Sequence, residues 1–389
     1  MEGGTQVRTH LCGIRTVWTE TRDAREAVAE LAAALASHAP VAHLLIFFSS
    51  DYDPEILNAA LTTTFPGTPV SGCSMSGGMA PSGGFEHGLV AVAFPAKGFR
   101  IASIALDTID RLDVEGTAAA VRALRRRLEP HGPETRPGRF ALCLIDGLAN
   151  AEEAVVSAIA WALDGIPLVG GSAGDDLVFR ETVLLHGGRI RRRSAVLLLI
   201  DSDYPIEIFR SDNFEPTQRR FVVTASDEDR RVVHELNAEP AAQEYAAAIG
   251  LKPDLLSPLS FATHPLAVKV GGEYFCRAIR HMNPDGSLTF FCAVEEGVVL
   301  TLARHCDLVE STRAELDRID AAVGGIDLVI GFECVLRRLD ADSRQLRQGV
   351  AELYRRYSVV GFETYGEQFR AMHLNQTFTG IAIGRAPES

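Results

Sequence analysis

The sequence predicts an α/β protein of two domains, with mixed β-sheets covered by helices and one strand–helix–strand–Gly-loop–strand unit used repeatedly. Three observations predict it. Apolar runs of four to eight residues alternate with amphipathic helical stretches, as where "HLLIFFSS" precedes "PEILNAALTTTF". The same order of elements returns three times, at a spacing too long for a solenoid repeat. The chain of 389 residues, 47% hydrophobic and 23% charged, has the size and composition of a globular protein with more than one core.

In the first copy, residues 43–53 read as a buried strand ending in polar residues, and residues 54–65 as a helix with proline in its first turn. The stretch "TPVSGCSMSGG" follows, and "GLVAVAF" closes the unit as a strand. The second copy runs from "FALCLIDGLANAEEAVVSAIAWAL" through "IPLVGGSAGDD" to "SAVLLLI". The third opens with "DLVIGFECVLRRL" as its strand, takes "QLRQGVAELYRRY" as helix and "SVVGFETYGE" as glycine-bearing loop, and closes on "NQTFTGIAIG". Between the second and third copies the pattern changes. "QRRFVVTASDEDRRVVHELN" reads as two strands around a charged turn, "AEPAAQEYAAAIG" as a short helix, and 264–297 as three strand-like runs. A helix is expected over "VVLTLARHCDLV". The change near Gln218 places the domain boundary there, giving domains 1–217 and 218–389.

The net charge of −13 argues against a nucleic-acid partner, which calls for basic patches. The dense basic clusters at 125–127 and 191–193 read as a solvated helix end and a turn. No apolar run is long enough to span a bilayer and the N-terminus has no signal-peptide core, so a cytoplasmic protein is expected. Seven scattered cysteines without paired spacing suit a reducing compartment, and Cys143, Cys276, Cys292 and Cys334 fall inside apolar runs as packing residues.

The glycine-bearing stretches invite a phosphate-loop reading, which fails. "GCSMSGG" lacks the Lys-Ser/Thr of a Walker loop, and its glycines follow the second strand of the unit, where a dinucleotide fingerprint follows the first. Gly72, Gly170 and Gly361 then serve either close backbone approach at a tight turn or the lining of a pocket at strand ends. Ser74 and Ser172 have no nucleophile elbow and no nucleophile–base pair stands out, so an enzyme is not expected.

Taken together, "PVSGCSMSG", "IPLVGGSAGDD", "DGSLTFFCAVEEG" and "VVGFETYGE" with "HLNQTFTGIAIG" resemble the FIST domain family over nearly the whole chain past His43, FIST N first and FIST C from about Gln218. The resemblance implies a sensory protein that binds a small ligand. "VGGEYFCRAI" and "DGSLTFFCAVEEGVVLTLA" are similar to a branch of haem-binding nitric-oxide sensors that regulate a partner histidine kinase, which implies haem b as cofactor and is compatible with a homodimer. On that reading, strand alternation in "RRVVHELN" sets His234 on one face with Val232 and Leu236, either as a core histidine or as the iron ligand. In "YFCRAI", Arg277 shares a face with Phe275 and Ile279 and needs an anion, a carboxylate or a haem propionate. Tyr274 precedes Phe275, and His264 is the rival ligand near the same pocket. The alternative is a haem-free sensory module for a small metabolite such as an amino acid, with polar groups from the glycine loops: Asp175, Glu363 and Thr364, with Tyr365 and Glu367 nearby.

Overall fold

The computed structural model describes residues 4–36, 40–128 and 138–385. After two short N-terminal strands and α1 (Ala24–Leu35), the first unit runs Val41–Ser49, α2 (Pro54–Thr64), Val70–Met75, a hairpin of Gly78–Ala80 with Gly83–Phe85, and Leu89–Pro95. Strand Phe99–Asp107 and α3 (Val114–Arg127) lead to the second: Gly138–Ile145, α4 (Glu152–Leu163), Leu168–Ser172, the hairpin Leu184–His186 with Arg189–Arg191, and Ser194–Ser202. A strand-rich segment containing α5 (Ala241–Ala248) and α6 (Pro258–Thr263) intervenes before α7 (Leu308–Ala322). The third unit is Ile326–Cys334, α8 (Val335–Ser343), α9 (Arg347–Tyr357), Val359–Thr364, the hairpin Glu367–Phe369 with Met372–Leu374, and Thr377–Gly384. Four helices begin at aspartate caps: the Asp53 side chain accepts from the backbone N–H groups of Glu55 and Ile56 at the start of α2, and Asp23, Asp113 and Asp307 cap α1, α3 and α7.

Within each unit the first two strands pair in parallel and the closing strand runs antiparallel beside the first. The hairpin does not stay in its own sheet. The first unit's hairpin pairs with Val359–Thr364 of the third, the second's with Val70–Met75 of the first, and the third's with Leu168–Ser172 of the second. Three sheets are thereby locked in a cycle, and the exchange crosses residue 218 in both directions.

Equivalent backbone groups carry out each exchange. The N–H of Ser74, Ser172 and Glu363 donates to the carbonyl of Val183, Gly366 and Gly77 at 2.8 Å each, and their carbonyls accept from Gly174, Tyr365 and Ser76. Two residues before each of these positions stands Gly72, Gly170 or Gly361. A Cβ there would lie 2.2, 1.8 and 1.9 Å from the carbonyl oxygens of Ile46, Cys143 and Gly331 on the parallel neighbour. Close approach is thus the reason for these glycines, and it occurs within strands, not at tight turns. The three sheets share one core, in which Phe47 of the first unit packs on Phe362 of the third (ring centroids 4.6 Å apart) and both units meet Leu142 and Leu144 of the second.

The strand-rich segment forms a barrel-like sheet. Its order runs from Glu273–Arg277 through Leu266–Val270, Val299–His305, Phe214–Asp227, Val232–Leu236 and Leu288–Phe290 to Ile279–Met282, so its two ends are one continuous stretch of chain. Phe221, Val223, Val233, Leu236, Tyr245, Phe290 and Leu300 fill it. Arg231 joins the barrel to α4: its guanidinium lies 2.6 Å from Glu152 and 2.5 Å from Glu153, and donates to the carbonyl of Phe291.

Two expectations are corrected here. Val299–His305 is a strand between two barrel strands, and α7 begins only at Leu308, because the apolar side chains from Leu300 to Leu302 are buried in the sheet. "DLVIGFECVLRRL" is a strand only to Cys334, where α8 takes over. Among the described residues no helix is long and apolar enough to cross a membrane.

Candidate functional site

A cavity of about 540 Å³ opens where the first unit's hairpin crosses the third unit's sheet, under α8 and α9. Two strand residues set its chemistry. Glu333 and Glu363 are direct partners across the parallel strands Ile326–Cys334 and Val359–Thr364, and both line the cavity. Like charges placed opposite one another in a sheet repel, more so when buried, and here the residues are 6% and 5% exposed.

The repeat supplies an internal control. Aligned on the three close-approach glycines, the positions of Glu333 and Glu363 are held by Phe48 and Ser74 in the first unit and by Ile145 and Ser172 in the second. Those serines serve the exchange: Ser74 Oγ accepts from the N–H of Val183, and Ser172 Oγ accepts from Gln368. The architecture works without carboxylates there. The glutamate pair belongs to the third unit alone among the three.

Each carboxylate is held differently. Glu333 accepts from Tyr354 Oη on α9 and, at 3.1 Å, from Arg337 Nε on α8. Arg337 continues to Asn213 Oδ1 and Thr312 Oγ1, each at 2.9 Å, and Asn213 lies 3.2 Å from His305 Nδ1 at the barrel edge. Glu333 is therefore a fully engaged group that ties the cavity floor to the barrel.

Glu363 is not. Its buried Oε2 is ion-paired with Arg338 Nη1 at 3.1 Å without a well-formed hydrogen bond, and the same guanidinium donates through Nη1 to the carbonyl of Ser76 and through Nη2 to Asp176 at 2.7 Å. Burial pushes the Glu363 carboxyl up to about 8, against the pull of Arg338 and helped by Glu333, Asp176 and Asp342. Gly77 makes room for it, since a Cβ there would stand 2.5 Å from Oε2. Phe85 and Tyr354 give the cavity aromatic surface, and Arg347 on its wall is paired with Asp342.

The residues singled out for haem fall elsewhere. His234 is exposed beside exposed Glu235, with Val233 and Leu236 buried. The expected face of Val232, His234 and Leu236 does not exist, because register shifts between Val223 and Ser226 of the paired strand break the alternation. Phe275 is buried beneath the guanidinium of Arg210, and half-buried Tyr274 sits under Lys269. Half-buried Arg277 donates to the carbonyl of its neighbour Cys276. His264 Nδ1 faces Thr263 Oγ1 and the Ser260 carbonyl. A haem needs an axial ligand facing an apolar slot. The barrel interior is filled with side chains and His234 points away from it, so these residues do not fit a haem.

Of the residues named for a metabolite, Glu363 alone lines this cavity. Asp175 accepts from Tyr365 Oη and from the backbone N–H groups of Phe179, Arg180 and Glu181, which makes it a loop organiser. Thr364 donates to Glu367, which also accepts from Thr377. Glu333, Arg338 and Tyr354 were missed. The signal available for Glu333 was a carboxylate between Phe332 and Cys334 in an otherwise apolar strand; Tyr354, one helix face away, carried none.

Comparison with known families matches residues 42–239 to the FIST N domain and residues 241–370 to the FIST C domain. No curated protein matches the chain. FIST domains are sensory, ligand-binding domains of signal transduction, and nothing in these matches points to the haem-binding branch.

Proposed function

Because the chain belongs to the FIST family, we propose that it is a sensory module that binds a small organic metabolite in the cavity beneath α8 and α9, without haem. The observation that carries this reading is the buried Glu333–Glu363 pair, present where the other two copies of the unit have apolar residues and serine. An unrequired pair of buried like charges is costly to stability, and such groups concentrate at functional sites. The cavity volume falls in the range of small-molecule sites.

The cavity is also placed to report occupancy. Its wall helix α8 carries Arg337 and Asp340 on its other side, and Asp340 lies 3.3 Å from His305 of the barrel. A ligand shifts a signalling equilibrium only by binding one state better than another, and moving α8 changes contacts on both sides. Output then passes through a partner protein.

The test is a thermal-shift screen of the purified chain against a metabolite set, repeated on Gln348→Trp, which narrows the mouth of the cavity from an exposed position on α9. Stabilising compounds should lose their effect in the variant. Stabilisation that is the same in both proteins would remove the cavity as the sensory site.

A further inference from the structure

The chemistry of the lining narrows the ligand. Both arginines on the cavity wall are already satisfied: Arg338 by Asp176, Ser76 and Glu363, and Arg347 by Asp342. A ligand carboxylate or phosphate would find no uncommitted cation there. The acidic side has spare capacity. Glu363, 5% exposed, keeps Oε2 buried against Gly77 and Arg338 and turns Oε1 toward the lining residue Gly84, and Glu20 and Glu86 line the opening without an ion pair among the described residues. Phe85 and Tyr354 add ring surface, which suits methylene groups and attracts cations.

We propose that the ligand is an organic amine bound as its ammonium cation, with the Glu363 carboxylate as its counter-charge. The inference rests on the cavity being the sensory site and departs from an amino acid, whose carboxylate has no partner on this wall. An ammonium group donates up to three hydrogen bonds and relieves the repulsion that Glu333 imposes on Glu363. Binding therefore draws the Glu363 proton off, and affinity rises from pH 6 to pH 8. The groups facing Glu363 are Arg338 and Asp342 from α8, Arg347 from α9, Glu333 from the paired strand and Asp176 from the second unit's loop, and His87, paired with Asp51, lines the same cavity.

Titration calorimetry of the full chain with 1,4-diaminobutane and spermidine tests the class, with 1,4-butanediol and glutarate as neutral and anionic controls. The amines should bind and the controls should not. Replacing Glu363 by Gln keeps shape and removes the counter-charge, and should weaken amine binding by about 30-fold or more. Circular dichroism confirms that the variant is folded, and Glu363→Asp should restore part of the affinity. Binding of glutarate or the diol that is lost in Gln348→Trp would overturn the amine class and leave the cavity standing. Amine binding unchanged in both Glu363→Gln and Gln348→Trp would overturn the class and the cavity together. Silence of all four probes overturns the amine class, and the metabolite screen then decides the cavity.

Discussion

Replacing Arg231 by methionine should uncouple the barrel from the cyclic core. Arg231 is 4% exposed and Glu152 is 1% exposed by side chain, with Nη2 2.6 Å from Glu152 Oε2. The same nitrogen lies 2.5 Å from Glu153, and Nη1 donates to the Phe291 carbonyl at 2.6 Å. Methionine keeps most of the aliphatic stem and deletes the charge, so the loss is electrostatic and not a cavity. Removing one partner of a buried pair strands the other, which costs about 3–5 kcal/mol. Urea unfolding followed by tryptophan fluorescence and circular dichroism measures it. The expected result is a midpoint shifted to lower urea and separation of the two probes as the barrel loses its anchor.

The pH dependence sharpens that test. Burial disfavours ionisation of Glu153, but His373 and Arg231 outweigh it and hold its carboxyl below the usual range. A depressed carboxyl contributes stability that is present at neutral pH and disappears as pH falls through its folded value. The gap between wild type and Arg231→Met should accordingly hold steady below pH 7 and narrow only as pH falls past about 4.5, the ordinary value of the carboxyl. A loss under about 1 kcal/mol at pH 7, or a gap that widens in acid, would refute the argument that this ion pair holds the barrel in place.

Gly170→Ala should destabilise by about 3 kcal/mol in denaturant unfolding, because its Cβ would meet a backbone oxygen that cannot turn aside. Glu363→Gln should leave stability unchanged near pH 5 and raise it relative to wild type above pH 8, measured by thermal unfolding. The wild-type carboxyl is raised above its unfolded value, so its contribution is complete at low pH and lost as pH climbs through about 8. In haem reconstitution, His234→Ala should reproduce the wild-type absorption spectrum before and after nitric oxide, since the exposed ring faces no apolar slot.

The glycine-bearing stretches show how far local reading reaches. Their recurrence in each copy was visible in the letters, and the missing Lys-Ser/Thr together with their place past the first strand excluded a nucleotide loop. Their purpose was not visible, because each close approach is to a strand 26 to 30 residues earlier and each exchange is with a different unit. Strand alternation failed at His234 for a related reason. The bulge that turns the histidine outward is a property of pairing with Phe214–Asp227 and leaves no mark in "VVHEL".

What the amino-acid sequence determined by itself was the alternation of buried strands with helices, the threefold recurrence, and the strand-rich insertion, all of which follow from short-range periodicity and from residues such as Asp53 and Pro54 acting on their neighbours. Only the tertiary structure decided which sheet each hairpin joins, and with it where a pocket opens. Glu333 and Glu363 lie thirty positions apart in the chain, and they become one acidic pair because parallel register sets them side by side and a hairpin from the first unit crosses above them. Charge repulsion and burial depend on distance in space, so no reading of spacing along the chain could weigh them.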